Sequence, residues 1–217
     1  MPSPFRTEMT SFNRNPFLAS CDVIDWQCAE VREAAARLTA EADGHDAISL
    51  LFDWVRDFIA HTGDAGRGKL TLRASDVLRE RTGLCYAKSH LLVALLRAVN
   101  IPAGLCYQRL RCDGTESSFV LHGLVGVLMP NEKFVRIDPR GNMPSIGARF
   151  MPGREVLAFE ATLPGEADLP GVFARPIPEV VSALSGGQNW HPVETKLPDI
   201  LSEHWPAGDA EWYVPTG

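Results

Sequence analysis

The stretch from 85 to 99, CYAKSHLLVALLRAV, constrains this chain most. Leu92, Leu95, Leu96 and Val99 recur at threes and fours and make an apolar stripe too broad to leave in water, so the segment is a helix that must pack against a larger body. Asn100 suits the left-handed residue that closes a helix, and Pro102 keeps it from resuming. The pattern then turns from helical to alternating or short β-branched runs: 103–112 (AGLCYQRLRC), 119–129 (FVLHGLVGVLM) and 133–138 (KFVRID). A DGTESS turn and a Pro130-Asn131-Glu132 turn separate them. Strands joined by turns this short pair antiparallel, so the expected architecture is α+β: a helical face, then an antiparallel sheet.

Two amphipathic helices precede this unit. One spans 25–42, with Val31, Ala34, Ala35 and Leu38 on one face; the other spans 46–61, with Ile48, Leu51, Phe52, Val55 and Ile59. The stretch GDAGRGKL reads as a loop, and its glycines lack the Gly-Lys-Ser/Thr ending of a phosphate loop. Ser75 is placed to cap a short helix, SDVLRER, that stops at Gly83. Prolines recur from Pro139 to Pro215 and permit only short elements, namely a strand over 154–159 and brief helices near 178–184 and 198–204. Trp190, Trp205 and Trp212 favour a tail packed over the site rather than left in water. The expectation is one domain over 1–217, with a core at about 25–140 and a proline-rich extension, 141–217, laid on it.

With 217 residues, 45% hydrophobic and 22% charged, the chain is neither a coiled coil, nor collagenous, nor wholly disordered. The net charge of −6, with no basic run, excludes nucleic acid as a partner. No apolar stretch approaches the ~20 residues of a membrane span, and the first residues lack the apolar core of a signal peptide, which points to the cytoplasm and to no membrane partner. Five cysteines, an odd number without Cys-x-x-Cys spacing, argue against a disulfide framework and a structural zinc site, so no metal or other cofactor is expected.

A thiol that matters here matters singly, and Cys85 stands out. In the first turn of a strong helix its thiolate is stabilised by unpaired amides and the positive end of the dipole. Position alone supplies activation, and Gly83 leaves room for a substrate to approach. A reactive cysteine also needs a base, and the base an orienting group. If the hairpin turns on Pro130-Asn131-Glu132, paired numbers add to about 260 to 262, and His122 lies opposite 138 or 140. Even register puts His122 and Asp138 on one face, ~5 to 8 Å apart at Cβ; a two-residue turn would put them on opposite faces. His90 points away from Cys85 around the helix. His45 and His61 sit at helix ends, where capping or solvent contact is the ordinary role, and His191 and His204 lie in the unpatterned tail. A metal site on Cys85, His122 and Asp138 lacks a fourth ligand.

The stretch RTGLCYAKSHLLVALLRAVNIPAG (81–104), then His122 in a strand, then Ile137-Asp138-Pro139, resembles the core of the transglutaminase-like superfamily. The resemblance covers about 65–140. It implies a papain-like α+β fold with Cys85 as nucleophile, His122 as base and Asp138 as orienter. It also implies cysteine-dependent acyl transfer on a protein, peptide or small amide substrate, with hydrolysis preferred over transfer to an amine. A silent member of the family used only for binding is the alternative. His122-Gly123-Leu124 replaces the commoner His-Ala-Trp. The Cys85 amide supplies one oxyanion donor, and Gln108, Tyr107 or Trp54 are candidates for the other.

Overall fold

The computed structural model describes residues 12–66, 68–112, 118–144, 146–186, 189–191 and 196–210. In chain order these form α1 (Ala29–Leu38), α2 (Gly44–Phe58), β1 (Ala60–His61), α3 (Thr62–Ala65), α4 (Ala74–Glu80), β2 (Thr82–Gly83) and α5 (Cys85–Ala98). There follow β3 (Ala103–Arg111), β4 (Phe119–Leu128), β5 (Phe134–Ile137), β6 (Ala167–Phe173) and α6 (Pro178–Leu184), with 3-10 turns at Asn15–Phe17 and Ser202–His204.

Helix α5 is the centre of the molecule: every residue from Cys85 to Arg97 is buried, between α1, α2 and α4 on one side and β3 and β4 on the other. It closes at Asn100, whose φ is 62°, with Asn100 N–H donating to Arg97 O at 3.0 Å and Ile101 N–H to Leu96 O at 2.9 Å. The chain leaves that cap directly into β3. The antiparallel sheet has the order β5-β4-β3-β6. Leu105, Tyr107, Val125 and Ile137 belong to the cluster that contains α5, whereas Cys106, Leu124 and Phe134 pack with Phe17 and Val172 on the other face. This is the two-sided burial that alternation along a covered strand produces.

The β4–β5 turn has three residues. Met129 N–H donates to Lys133 O and Glu132 N–H to Met129 O, each at 2.9 Å, and Glu132 takes a φ of 62°. Pairing of Val125 with Ile137 and Gly126 with Arg136 is the even register, so His122 and Asp138 share a face.

Several expectations are corrected. Helix α1 starts at Ala29, because its cap residue Cys28 is turned out of the helical region at φ −57° and ψ 136°, and α2 ends at Phe58. Ser75 does not cap α4. The cap residue is Arg73, and Asp25 reaches across to accept from Ser75 N–H at 3.0 Å and Ser75 Oγ–H at 2.6 Å. The first three residues of the expected loop, 63–65, belong to α3, which begins at Thr62. Segment 154–159 is not a strand: Arg149 N–H bonds Val156 O at 3.1 Å around a turn, and Ala158 N–H serves a side chain. The fourth strand is β6, on the sheet edge, where Pro170 costs no ladder bond. Only a single 3-10 turn lies within 198–204. Residues 113–117 of the DGTESS turn and Trp212 lie outside the described residues.

The tail segment around 196–205 is seated on this sheet. Arg109 grips the Asp199 carboxylate at 2.6 and 2.8 Å, Leu121 N–H donates to Pro198 O at 2.8 Å, and Trp205 lies edge-on to Tyr107 and Phe173.

Candidate active site

Two contacts dock the first turns of α5 onto β4. Tyr86 OH donates to Leu121 O, and Ser89 Oγ–H to Gly123 O at 3.1 Å. Gly123 is what allows the approach, since a Cβ there would lie 2.9 Å from Tyr86 Cδ1 and 3.1 Å from Tyr86 Cα. The replacement of an alanine-type residue after His122 thus has a packing cause. At this closeness Gly123 N–H points at Cys85 Sγ, 3.5 Å away. The space beside Gly83 is not left for substrate. A Cβ there would meet Ala87 Cβ at 3.0 Å and Thr71 Oγ1 at 3.2 Å, so the glycine serves internal packing.

His122 Nε2 lies 2.8 Å from Asp138 Oδ2. Asp138 is 0% exposed and accepts two further bonds, from Arg140 N–H at 3.0 Å and Ala158 N–H at 3.1 Å. Burial works to raise its pKa, but the charge and hydrogen bond of His122 and the two amides hold it below the ordinary carboxylate value. Phe159 closes over His122 edge-on, ring centres 5.1 Å apart, and Arg140 lies over the Phe159 ring.

Burial alone would push the Cys85 thiol up. The charge of His122, then hydrogen bonding from His122 and from His61, outweigh burial and bring it down to about 6. His122 moves the opposite way: burial lowers it, yet Asp138 and the thiolate raise it to about 10. At neutral pH the pair is a thiolate beside an imidazolium, a nucleophile next to a proton donor. Behind them Lys88 is buried, with its Nζ bonded to the carbonyls of Arg56 and Ile59. Burial lowers it to about 8, against the attraction of Asp138.

Cys85, His122 and Asp138, far apart in sequence, are brought to one place. Gln108 pairs with His122 across β3 and β4, but its Nε2 is taken by Phe159 O at 3.3 Å and Asp168 at 2.8 Å. Tyr107 is buried and accepts from Ile177 N–H at 3.4 Å, and Trp54 lies under Arg81. None of the three lines the cleft at Cys85. His90 is a neutral core histidine, pushed down to about 4 by burial, with Nδ1 2.8 Å from Leu72 O.

His61 is the residue that sequence reasoning passed over. It does cap α3, with Nδ1 accepting from Asp64 N–H at 3.3 Å. Yet β1 pairs parallel with β2, His61 opposite Gly83, which carries the imidazole to the turn that leads into Cys85. The cleft there, about 680 Å³, is walled by His61, Cys85 and His122 and by apolar Leu84, Val120 and Trp190, with Arg111 and Glu166 also lining it. Among the described residues no group of three or more His, Cys, Asp or Glu side chains is arranged to hold a metal ion, and no helix is long and apolar enough to cross a membrane.

The family model of the transglutaminase-like superfamily matches residues 32–139, a span that contains Cys85, His122 and Asp138. The chain belongs to the transglutaminase-like superfamily. Helices beside a curled antiparallel sheet are the fold of that superfamily and of papain-like proteins. Solved structures similar to this transglutaminase-like chain include a candidate cysteine protease from Cytophaga hutchinsonii, 18% identical, with a TM-score of 0.49 over 60% of this chain and 43% of that one. The periplasmic domain of TgpA from Pseudomonas aeruginosa is 18% identical, with a TM-score of 0.42 over 59% of this chain and 48% of that domain. The chain therefore spans less than half the length of either structure. Curated proteins include no match to it.

Proposed function

We propose that this transglutaminase-like chain is a cysteine-dependent acyl-transfer enzyme, acting on amide or peptide bonds through a thioester on Cys85, with water as the preferred acceptor. One arrangement carries the reading: the buried Cys85 thiol shares a cleft with His122, itself held by Asp138 at 2.8 Å, and the charge of His122 brings the thiol down to about 6 against burial. In this reading the three residues form a catalytic triad. The thiolate attacks the carbonyl carbon, and the C=O π electrons move onto oxygen as the Sγ–C bond forms. Collapse of that adduct breaks the C–N bond, and the amine leaves with the proton of His122. Neutral His122 then takes a proton from water as the water attacks the thioester, releasing the acid and restoring the thiolate. Asp138 keeps His122 oriented throughout.

The apolar walls of the cleft suit an apolar acyl group. The unpaired cysteines fit a reducing compartment, the cytoplasm. The test is to incubate the protein with peptide, glutamine-amide and arylamine acyl-donor panels, with and without an added amine, and to look for acylated Cys85 by mass spectrometry. Free acid as product, with turnover lost in Cys85→Ser, is expected. Amine adducts in place of acid would make it a transferase. Absence of acylation across the panels, with Cys85 no more reactive than the other thiols, would replace the proposal with a binding role.

A further inference from the structure

We infer that His61 is the side-chain donor that, with the Cys85 amide, holds the carbonyl oxygen of the substrate as it becomes an oxyanion. The inference rests on the reading of Cys85 as nucleophile.

Attack at a carbonyl moves negative charge onto oxygen, and sites for this chemistry place two donors there in advance. The amide of Cys85 is one, because the first residue of a helix has no intrahelical acceptor for its N–H. The Gly123 N–H points at the sulfur itself, so the second is sought among polar side chains that line the cleft beside the sulfur. Gln108, Tyr107 and Trp54 are outside the cleft lining. His122 has Nε2 committed to Asp138, and its other nitrogen has the proton to deliver. His61 remains.

Its geometry fits the task in three ways. The amide of Asp64 can only donate, so Nδ1 of His61 is the acceptor of that bond and the ring proton sits on Nε2. The backbone that carries the ring is held by the parallel pairing of His61 with Gly83. The ring is also braced from the other side: Asp64 binds Arg140 at 2.7 and 3.0 Å, and Arg140 N–H binds Asp138. One chain of bonds, His61–Asp64–Arg140–Asp138–His122, thus sets both imidazoles around a single sulfur. That His61 already helps to lower the Cys85 thiol is consistent with its ring lying against the sulfur.

Two reactions of the same thiolate separate this role from nucleophile activation. Alkylation by iodoacetamide displaces iodide and develops no carbonyl oxyanion. Addition to the aldehyde carbon of N-acetyl-leucinal forms an Sγ–C bond, puts the π electrons on oxygen and so uses both donors. Hemithioacetal affinity, read by NMR with a 13C-labelled aldehyde, is compared with the alkylation rate on the plateau of each protein's own pH profile. His61→Ala is expected to weaken the hemithioacetal ~100-fold, within the range lost with a single oxyanion donor, while plateau alkylation stays within a few-fold. His61→Gln, which keeps an N–H near the Nε2 position, is expected to recover most of the affinity and guards against misfolding of the alanine variant. Wild-type affinity in His61→Ala overturns the inference and leaves the nucleophile standing, as does failure of the wild type to add the aldehyde although Cys85 alkylates fast. Slow alkylation of Cys85 in the wild type would instead sink the proposed function.

Discussion

Replacing His122 by alanine tests the pairing directly, and the magnitude decides which measurement to make. With the thiol at about 6 rather than at its ordinary 9.0, Cys85 is ~90% thiolate at pH 7 instead of ~1%, a ratio near 100-fold. Rate at one pH would hide most of this. A thiolate of lower pKa is intrinsically less nucleophilic, with a Brønsted slope of ~0.4–0.5, so three units of pKa give back ~15- to 30-fold. A thiol returned to 9.0 in His122→Ala would therefore alkylate only ~3- to 6-fold more slowly at pH 7, and more slowly still where burial carries it higher. The full rate-against-pH curve is the decisive assay. In the wild type the thiolate is lost as pH falls through about 6, so the curve should rise around that value. In His122→Ala burial is opposed by less, and the rise should move above pH 8 with a higher plateau. Asp138→Asn removes the attraction that holds His122 charged against burial, so the rise should move in the same direction but less far. Cys106 is pushed up by burial, and Cys28 chiefly by its hydrogen bond with Glu30, so neither should compete at low pH. A curve unmoved in His122→Ala, or another cysteine that alkylates as fast as Cys85 at pH 6, would refute the reasoning.

Three further outcomes are expected. Gly123→Ala forces a Cβ to within 3.1 Å of Tyr86 Cα, a backbone atom that cannot swing aside, and should cost ~1–3 kcal/mol in denaturant unfolding and slow alkylation of Cys85. Asp25→Ala strips α4 of the bonds to Ser75 and of the ion pair with Arg73, and should lower stability by ~1–3 kcal/mol in the same assay. Asp199→Ala releases the carboxylate held by Arg109 and should speed tryptic cleavage after Lys196, an effect measurable by mass spectrometry; an unchanged rate would mean that the tail is held elsewhere.

What was legible in the sequence was what periodicity encodes. The stripe of α5, the left-handed stop at Asn100 and the alternation in β3 and β4 each state an element. An even hairpin register was enough to bring His122 and Asp138 to one face. What stayed hidden depends on partners distant in the chain. Ser75 looked like a cap because its type suits one, but Asp25 does that work from another segment. The proline of β6 read as a breaker, yet an edge strand tolerates it. Ala158 and Phe159, which seal Asp138 and His122 from above, lie in a segment that read as a strand. His61 carried a true local signal, its helix-end position, and that signal says nothing of the parallel pairing that brings it to Cys85.

The sequence alone also credits the wrong cause for activation of Cys85. A helix N-terminus stabilises a charge by ~0.3–1 kcal/mol, and ~2 at best, which is at most about 1.5 pKa units. Burial works against the thiolate and reaches ~3–5 units for fully buried groups. A thiol at the start of a buried helix with no other help would therefore sit above its ordinary value, as an inert apolar filler. Its fall to about 6 requires cations, and a cation as deeply buried as His122 requires an anion in turn. Asp138 meets that need only because His122 and two amides stabilise its charge, with Lys88, anchored on the carbonyls at the end of α2, as a further positive charge nearby. Arg140, whose amide serves Asp138, is itself balanced by Asp64, which in turn braces His61. The thiolate is thus one end of a run of alternating charges, buried from Cys85 to Asp138 and reaching the surface at Arg140 and Asp64, and its reactivity belongs to that run rather than to the helix on which the cysteine sits.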